Sequence, residues 1–277
     1  MSNAGRTQLF VLIGAIALTA VLYFAPQKTK EKETGLAEEK TEASYSFESL
    51  LTSAKSNLKR QELDPILKIE DELGKNQSDS ALLDSLGKKW DKLEQPLISS
   101  HYFELIALQK PGEKSWLNAA YRYFDASAMT EDSVLRSMMI TKAITSYTNV
   151  LQFNPDNLDA KTDLGVCYAQ GTREPMKGIM MLREVVTKNP NHENAQFNLG
   201  VLSVKSGQYE KAIERFQKVL EINPNRKEMY YMIGKTYMLA GNKEKALETL
   251  EKLKKETSNL QLIEQTNSLI SQININH

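Results

Sequence analysis

From Glu193 onward, apolar residues recur three and four positions apart, in short segments broken by polar turns. Glu193 to Val204 carries Phe197, Leu199, Val201, Leu202 and Val204 at helical period. Ser206-Gly207-Gln208 then reads as a turn, with glycine where a helix commonly ends in a left-handed residue. A second helix follows from Tyr209 to Glu221, apolar at Ala212, Ile213, Phe216, Val219 and Leu220. Asn223-Pro224 stops it, because proline cannot continue the hydrogen-bond ladder. Tyr230 to Lys255 repeats the plan with Gly234, Tyr237, Gly241, Ala246 and Leu250. Gly200 and Gly234, Gly207 and Gly241, Ala212 and Ala246, and Pro190 and Pro224 are all 34 residues apart. A fixed period of that size predicts stacked helix pairs whose small residues let the two helices of a pair approach closely.

These residues resemble the tetratricopeptide repeat, whose 34-residue signature has Leu-Gly, then Tyr, Ala, Phe and a closing Pro. One copy reads Leu199-Gly200, Ala212, Phe216 and Pro224, and the next Gly234, Tyr237 and Ala246. The preceding copy reads Leu164-Gly165, Tyr168, Gly178, Leu182 and Pro190. It departs twice: Gly165 to Gly200 is 35 residues, and Gly178 replaces the usual alanine. Two earlier copies are more degenerate. Leu86-Gly87, Trp90, Ser99, Phe103 and Pro111 form one. Trp116-Leu117, Ala120 and Tyr123, resuming at Ala143 and Tyr147 and closing at Pro155, form the other, with an insertion near 128–137.

The resemblance implies an all-α, right-handed superhelical solenoid of antiparallel helix pairs. Its repeats would occupy 80–112, 113–156, 157–191, 192–226 and 227–257, after a degenerate helix pair at 45–79. Residues 258–275, with Leu260, Ile263, Leu269, Ile270 and Ile273 on an otherwise polar helix, read as the cap such a stack needs.

The N-terminus has a different pattern. Leu9 to Ala25 is uniformly apolar and uncharged, and as a helix it would span about 25 Å, the short end of what crosses a bilayer. Residues 1–8 form a short tail carrying Arg6, and Tyr23-Phe24 stand where an interfacial aromatic belt would be. We expect a single-pass transmembrane anchor. A cleaved signal peptide is the alternative, but no small-x-small site follows the run. Residues 26–44, dominated by Lys, Glu, Thr and Ser, have little to bury and read as a disordered linker. Lys28, Lys30 and Lys32 argue for repeats in the cytoplasm, whereas a short basic N-terminus before a long domain is also the form of a signal anchor. Bacterial anchored proteins of this layout often project outward. The expectation is therefore an inner-membrane protein with its repeats on the periplasmic side.

Composition removes several function classes. Lysine plus arginine number 35 and aspartate plus glutamate 35, so no basic excess drives nucleic-acid binding. The single Cys167 excludes an internal disulfide and a cysteine-based zinc site, and it reads as a small core residue. The chain has no phosphate-binding glycine loop, no dinucleotide fingerprint, no His-Glu-x-x-His and no Gly-x-Ser-x-Gly. His101, His192 and His277 are far apart, and His192 falls in a solvated inter-repeat turn. We expect no catalytic residue, no metal site and no cofactor.

By the resemblance, positions two, five, nine and twelve of each first helix, counted with the signature glycine as eight, line a concave groove. These are Asp159, Thr162, Val166 and Ala169; Asn194, Phe197, Val201 and Val204; Glu228, Tyr231, Lys235 and Met238. Gly165, Tyr168, Gly200, Ala212, Phe216, Gly234, Tyr237 and Ala246 are assigned to packing within and between repeats. The groove floor is mostly apolar, with aromatic and Met groups suited to a protein or peptide partner. The carboxylate clamp of chaperone-binding relatives is absent: Asn198 matches, but Thr162, Val166, Glu228 and Met232 stand where Lys, Asn, Lys and Arg are needed. The function expected is a membrane-anchored scaffold or adaptor. The alternative is a chaperone-like holdase for unfolded or exported chains, and a third possibility is that the C-terminal helix or the insertion covers the groove.

Overall fold

The computed structural model describes residues 45–275, and the described residues are helices and short turns. The chain divides into two compact units after Ser53. Of the first, the described part is Tyr45 to Ser53, the start of helix α1 (Phe47–Ser56), which buries no residue. The anchor expected at 9–25 and the linker at 26–44 lie outside the described residues. Among the described residues, no helix is long and apolar enough to cross a membrane.

The second unit holds α2 (Arg60–Lys75), α3 (Ser80–Lys92), α4 (Pro96–Gln109), α5 (Glu113–Met129), α6 (Ser133–Phe153), α7 (Leu158–Gly171) and α8 (Pro175–Lys188). It continues with α9 (Glu193–Lys205), α10 (Tyr209–Ile222), α11 (Glu228–Leu239), α12 (Lys243–Glu256) and α13 (Leu260–Ile275). Each helix packs chiefly on its neighbours in sequence, giving the pairs α3/α4, α5/α6, α7/α8, α9/α10 and α11/α12.

Local chemistry sets the helix ends. Asp79 and Asp132 cap α3 and α6 by accepting backbone N–H bonds from Ala81 and Leu82, and from Val134 and Leu135. Pro96 and Pro175 sit in first turns, where a missing N–H costs nothing. Three repeats end on Asn154, Asn189 and Asn223, each followed by proline. The backbone N–H of each donates to a valine carbonyl four residues back (2.9, 2.7 and 2.8 Å). Each side-chain oxygen accepts the N–H two residues on, from Asp156, Asn191 and Asn225 (3.2, 3.0 and 3.2 Å). Gly207 and Gly241 take left-handed φ values of 71° and 78°, turning the chain from α9 into α10 and from α11 into α12.

Of the insertion near 128–137, only residues 130–132 are non-helical. α5 runs 17 residues and α6 runs 21, against 12–14 in α7 to α12, so the added residues lengthen both helices of that pair. In the lengthened α6, Ile140 packs against Gly171 at the end of α7, where a Cβ would lie 2.7 Å from Ile140 Cγ2.

The signature glycines receive one large side chain each from the second helix. A Cβ on Gly87 would meet the Phe103 ring at 2.5 Å, on Gly200 the Phe216 ring at 2.6 Å, and on Gly234 the Leu250 side chain at 2.7 Å. α7/α8 is closer still. A Cβ on Gly178 would overlap the Gly165 carbonyl oxygen and lie 2.5 Å from the Ala169 nitrogen. The core follows these contacts: Trp90, Tyr147, Phe216, Leu182 and Leu250 are fully buried, with Ala143, Ala212 and Ala246. α13 buries Thr266, Leu269 and Ile273 against α12 and α11, and turns Gln261, Gln265, Asn267 and Gln272 outward.

Candidate functional site

The face expected to bind a partner is built by the first helices α7, α9 and α11, and the three differ. On α7, Thr162 is fully buried and its hydroxyl donates to the Leu158 carbonyl at 2.8 Å. Val166 belongs to a core cluster with Leu182, Val185, Ala195 and Leu199, against which Phe124 of α5 also packs. Ala169 is half-buried where Gly178 approaches it. Thr162 and Val166 are therefore core residues and not groove floor. Around Val166, Phe124 of α5 packs from one side and Ala195 and Leu199 of α9 from the other.

On α9, Phe197, Val201 and Val204 are half-buried, with their inner surfaces on a cluster of Ala212, Ile213, Phe216, Val219, Met229 and Ile233. The Phe197 ring lies 6.1 Å from that of Phe216. The Arg226 guanidinium stands 5.1 Å from the centre of the Phe197 ring, held by Glu193 (3.0 Å) and Glu228 (2.7 Å). On α11, Lys235 is exposed, while Tyr231 and Met238 are half-buried against Ala246, Leu250, Leu269 and Ile273. α13 thus leans on the first-helix face at its C-terminal end. A cavity of about 380 Å³ remains between Tyr231 and the α13 residues Gln261, Glu264, Gln265, Ser268 and Gln272. Leu239, 44% exposed beside Met238, extends the apolar edge. The sequence reading missed it because it lies outside the four counted positions.

Of the packing residues, Gly165, Gly200, Gly234, Ala212, Phe216 and Ala246 are buried. Tyr168 is half-buried, with the Lys177 ammonium 3.8 Å from the centre of its ring. Tyr237 is half-buried as well and lines an open groove on the second-helix side.

An acidic neighbourhood between α5 and α7 had no motif to announce it. Asp163 accepts a hydrogen bond from the buried Tyr147 hydroxyl at 3.2 Å. Burial pushes its carboxyl up to about 6 against that hydrogen bond, with Asp159 and Asp125 adding to the rise. Burial also raises Asp125, opposed by Arg122. Tyr121, 40% exposed, stands edge-on to Tyr147 at 6.0 Å. Cys167 beside them is fully buried, and burial pushes its thiol up to about 12, which suits a core residue and not a nucleophile. His192 is not a solvated turn residue. Its Nδ1 accepts the Ala195 N–H at the start of α9, and its Nε2 lies 3.2 Å from Asp159. No group of three or more His, Cys, Asp or Glu among the described residues is placed to hold a metal ion.

Models of the tetratricopeptide repeat match residues 172–226 and 203–262. Over this stretch the chain carries tetratricopeptide repeats. The matched stretch holds α8 to α12, where the groove-facing side chains are half-exposed. No curated protein sequence matches the chain. Among solved structures, a tetratricopeptide repeat protein from Parabacteroides merdae ATCC 43184 is similar with a TM-score of 0.59 and 16% identity, over 83% of this chain and 87% of that one. MamA 41-end from Desulfovibrio magneticus RS-1 gives 0.51 and 17%, over 64% and 94%. A MamA protein gives 0.50 and 19%, over 64% and 91%. At these identities the likeness is one of fold, an all-helical repeat solenoid.

Proposed function

We propose that this protein is a non-enzymatic scaffold that binds a protein partner or peptide on the first-helix face of its tetratricopeptide repeats. One observation carries the reading: Phe197, Val201 and Val204 of α9 are packed on their inner side and leave apolar surface on the outer side, beside Tyr231 and Met238 of α11, which α13 partly covers. Half-exposed apolar and aromatic surface at the bottom of a repeat array is what an adaptable peptide groove needs. With Thr162 and Val166 of α7 buried, this reading places the apolar binding surface on α9 and α11. In this reading Leu9 to Ala25 anchors the chain in the inner membrane with the repeats on the periplasmic side, and tethering raises the effective concentration of a weakly bound partner. The support for the anchor is the uniform apolarity of that run.

The test is crosslinking and affinity capture of the full chain from its own cells, beside a Lys235→Glu, Leu239→Asp variant. Both positions are exposed, so the fold is kept. One dominant partner, lost in the variant, supports the scaffold. Many weak clients would replace it with a holdase, and a capture profile unchanged in the variant would remove the first-helix face from the reading.

A further inference from the structure

A second groove lies on the opposite side of the array, between the second helices α10 and α12. It is an open cavity of about 600 Å³. Its floor is Tyr230, Ile233 and Tyr237 of α11, and its α12 wall is Lys245, Glu248, Thr249 and Lys252. In the two preceding repeats the equivalent positions are bridged by side chains. Four residues before the signature glycine, Lys161 of α7 reaches Glu184 at 2.5 Å, and Gln196 of α9 is held by Arg215 at 2.6 Å. The corresponding residue of α11 is Tyr230. Thr249, 34 residues after Arg215, is too short to reach it and bonds its own helix at Lys245 instead (2.7 Å).

Two lysines of this groove stand beside its tyrosine rings. Lys252 lies 4.9 Å from the centre of the Tyr230 ring, and Lys245 lies 5.6 Å from that of Tyr237. Among the described residues, neither lysine makes an ion pair, and the hydroxyls of Tyr230 and Tyr237 make no hydrogen bond. Glu248 stands between the two lysines without an ion pair, so the α12 wall carries two cations and one anion, and Glu221 of the facing wall is held by Lys218 at 3.0 Å. Lys245 and Lys252 are two helical turns apart, about 10 Å.

We propose that this groove is a second docking site, taking an extended segment of a protein partner with the pattern acid–x–apolar–x–acid. In an extended chain those three side chains point to one face, and the two acids are about 13 Å apart. Long lysine and glutamate side chains take up the difference. The apolar residue meets Leu220 and the two tyrosine rings, above the buried Ile233. The acids meet Lys245 and Lys252 at the ends, where a tyrosine hydroxyl can add a hydrogen bond. A segment with basic residues at those places would face both lysines and be repelled.

The probe is a labelled peptide with glutamates flanking a central leucine in this spacing, titrated by fluorescence anisotropy onto the full chain. The control is the same peptide with lysines for glutamates. The glutamate peptide binds, more weakly as salt rises, and the lysine peptide does not. Lys245→Glu with Lys252→Glu weakens binding by about tenfold or more, and Glu248→Gln tightens it several-fold. All three residues are exposed, and an unchanged thermal melt keeps the comparison one of binding. Lys235→Glu, on the first-helix face, leaves binding unchanged, which separates this site from the one above. Equal binding of the two peptides, indifference to the double reversal, or no binding at about 1 mM peptide would each overturn the proposal.

Discussion

The helix pairs α7/α8 and α9/α10 have the same plan and close differently. In α9/α10 the gap at Gly200 is filled by an aromatic ring, Phe216, and the small residue of the second helix is Ala212. In α7/α8 the facing small residues are both glycine, and the backbone of one helix meets the other at Gly165 and Gly178. Gly178 therefore is not merely a weak helix former, as its propensity alone suggests. It is the residue that permits the approach. The signature position tells that a small residue is needed. Whether alanine is small enough depends on the actual spacing of the two helices.

That difference can be broken from either side. The largest effect falls on Phe216→Ala, which empties a fully buried site and should cost about 3–5 kcal/mol by urea unfolding. A loss below about 1 kcal/mol would show that the ring does not close α9/α10. Gly178→Ala comes next. It pushes a methyl into backbone and should cost about 1–3 kcal/mol, although alanine is the better helix former. Its counterpart Ala212→Gly should cost about 1 kcal/mol, chiefly from propensity. If Gly178→Ala stabilises the protein, the close approach of α7/α8 is wrong.

The third test concerns Asp163 on α7. Its folded carboxyl titrates near 6, above the ordinary aspartate value of 3.8. The folded state therefore holds the proton more tightly than the unfolded state. The stabilising contribution is fully present below about pH 4 and is lost as pH rises through about 6. Asp125, also raised, acts in the same direction. Asp163→Asn should flatten the change in unfolding midpoint between pH 4 and pH 7, and an unaltered profile would assign it to other groups. The smallest effect is Ser146→Ala on α6. The Ser146 hydroxyl is fully buried and has no hydrogen-bond partner among the described residues, so its removal should be neutral or stabilise by less than about 1 kcal/mol. A clear loss in a thermal melt would reveal an unseen partner for it.

Much of this architecture is legible in the chain because its signals are local. The glycines at 165, 200 and 234, the turn glycines at 207 and 241 and the Asn-Pro junctions all act within one pair or one turn. The groove is less legible because it depends on neighbours. Thr162 and Val166 occupy the same repeat positions as Phe197 and Val201 yet are buried, Val166 among Phe124 of α5 and Ala195 of α9, neighbours that no motif announces. The insertion was visible as a break in period, but no local signal announced that it would lengthen both helices and bring Ile140 against Gly171 across the pair boundary. The unfilled space above Tyr230 has no motif either. It arises from a threonine standing where the preceding repeat has an arginine.

The packing of each helix chiefly on its sequence neighbours also bears on how the second unit comes apart. Contact order is low, so no distant segment must return to hold a given pair in place. α13 has packed helices on one side only, whereas α7 has them on both. Amide exchange should then be slowest in α7 and α8 and quicken toward α13, fraying from the outside inward. Loss of the terminal helix would loosen α11 and α12 first, and the middle of the array would stay closed while the surface around Tyr231 opened.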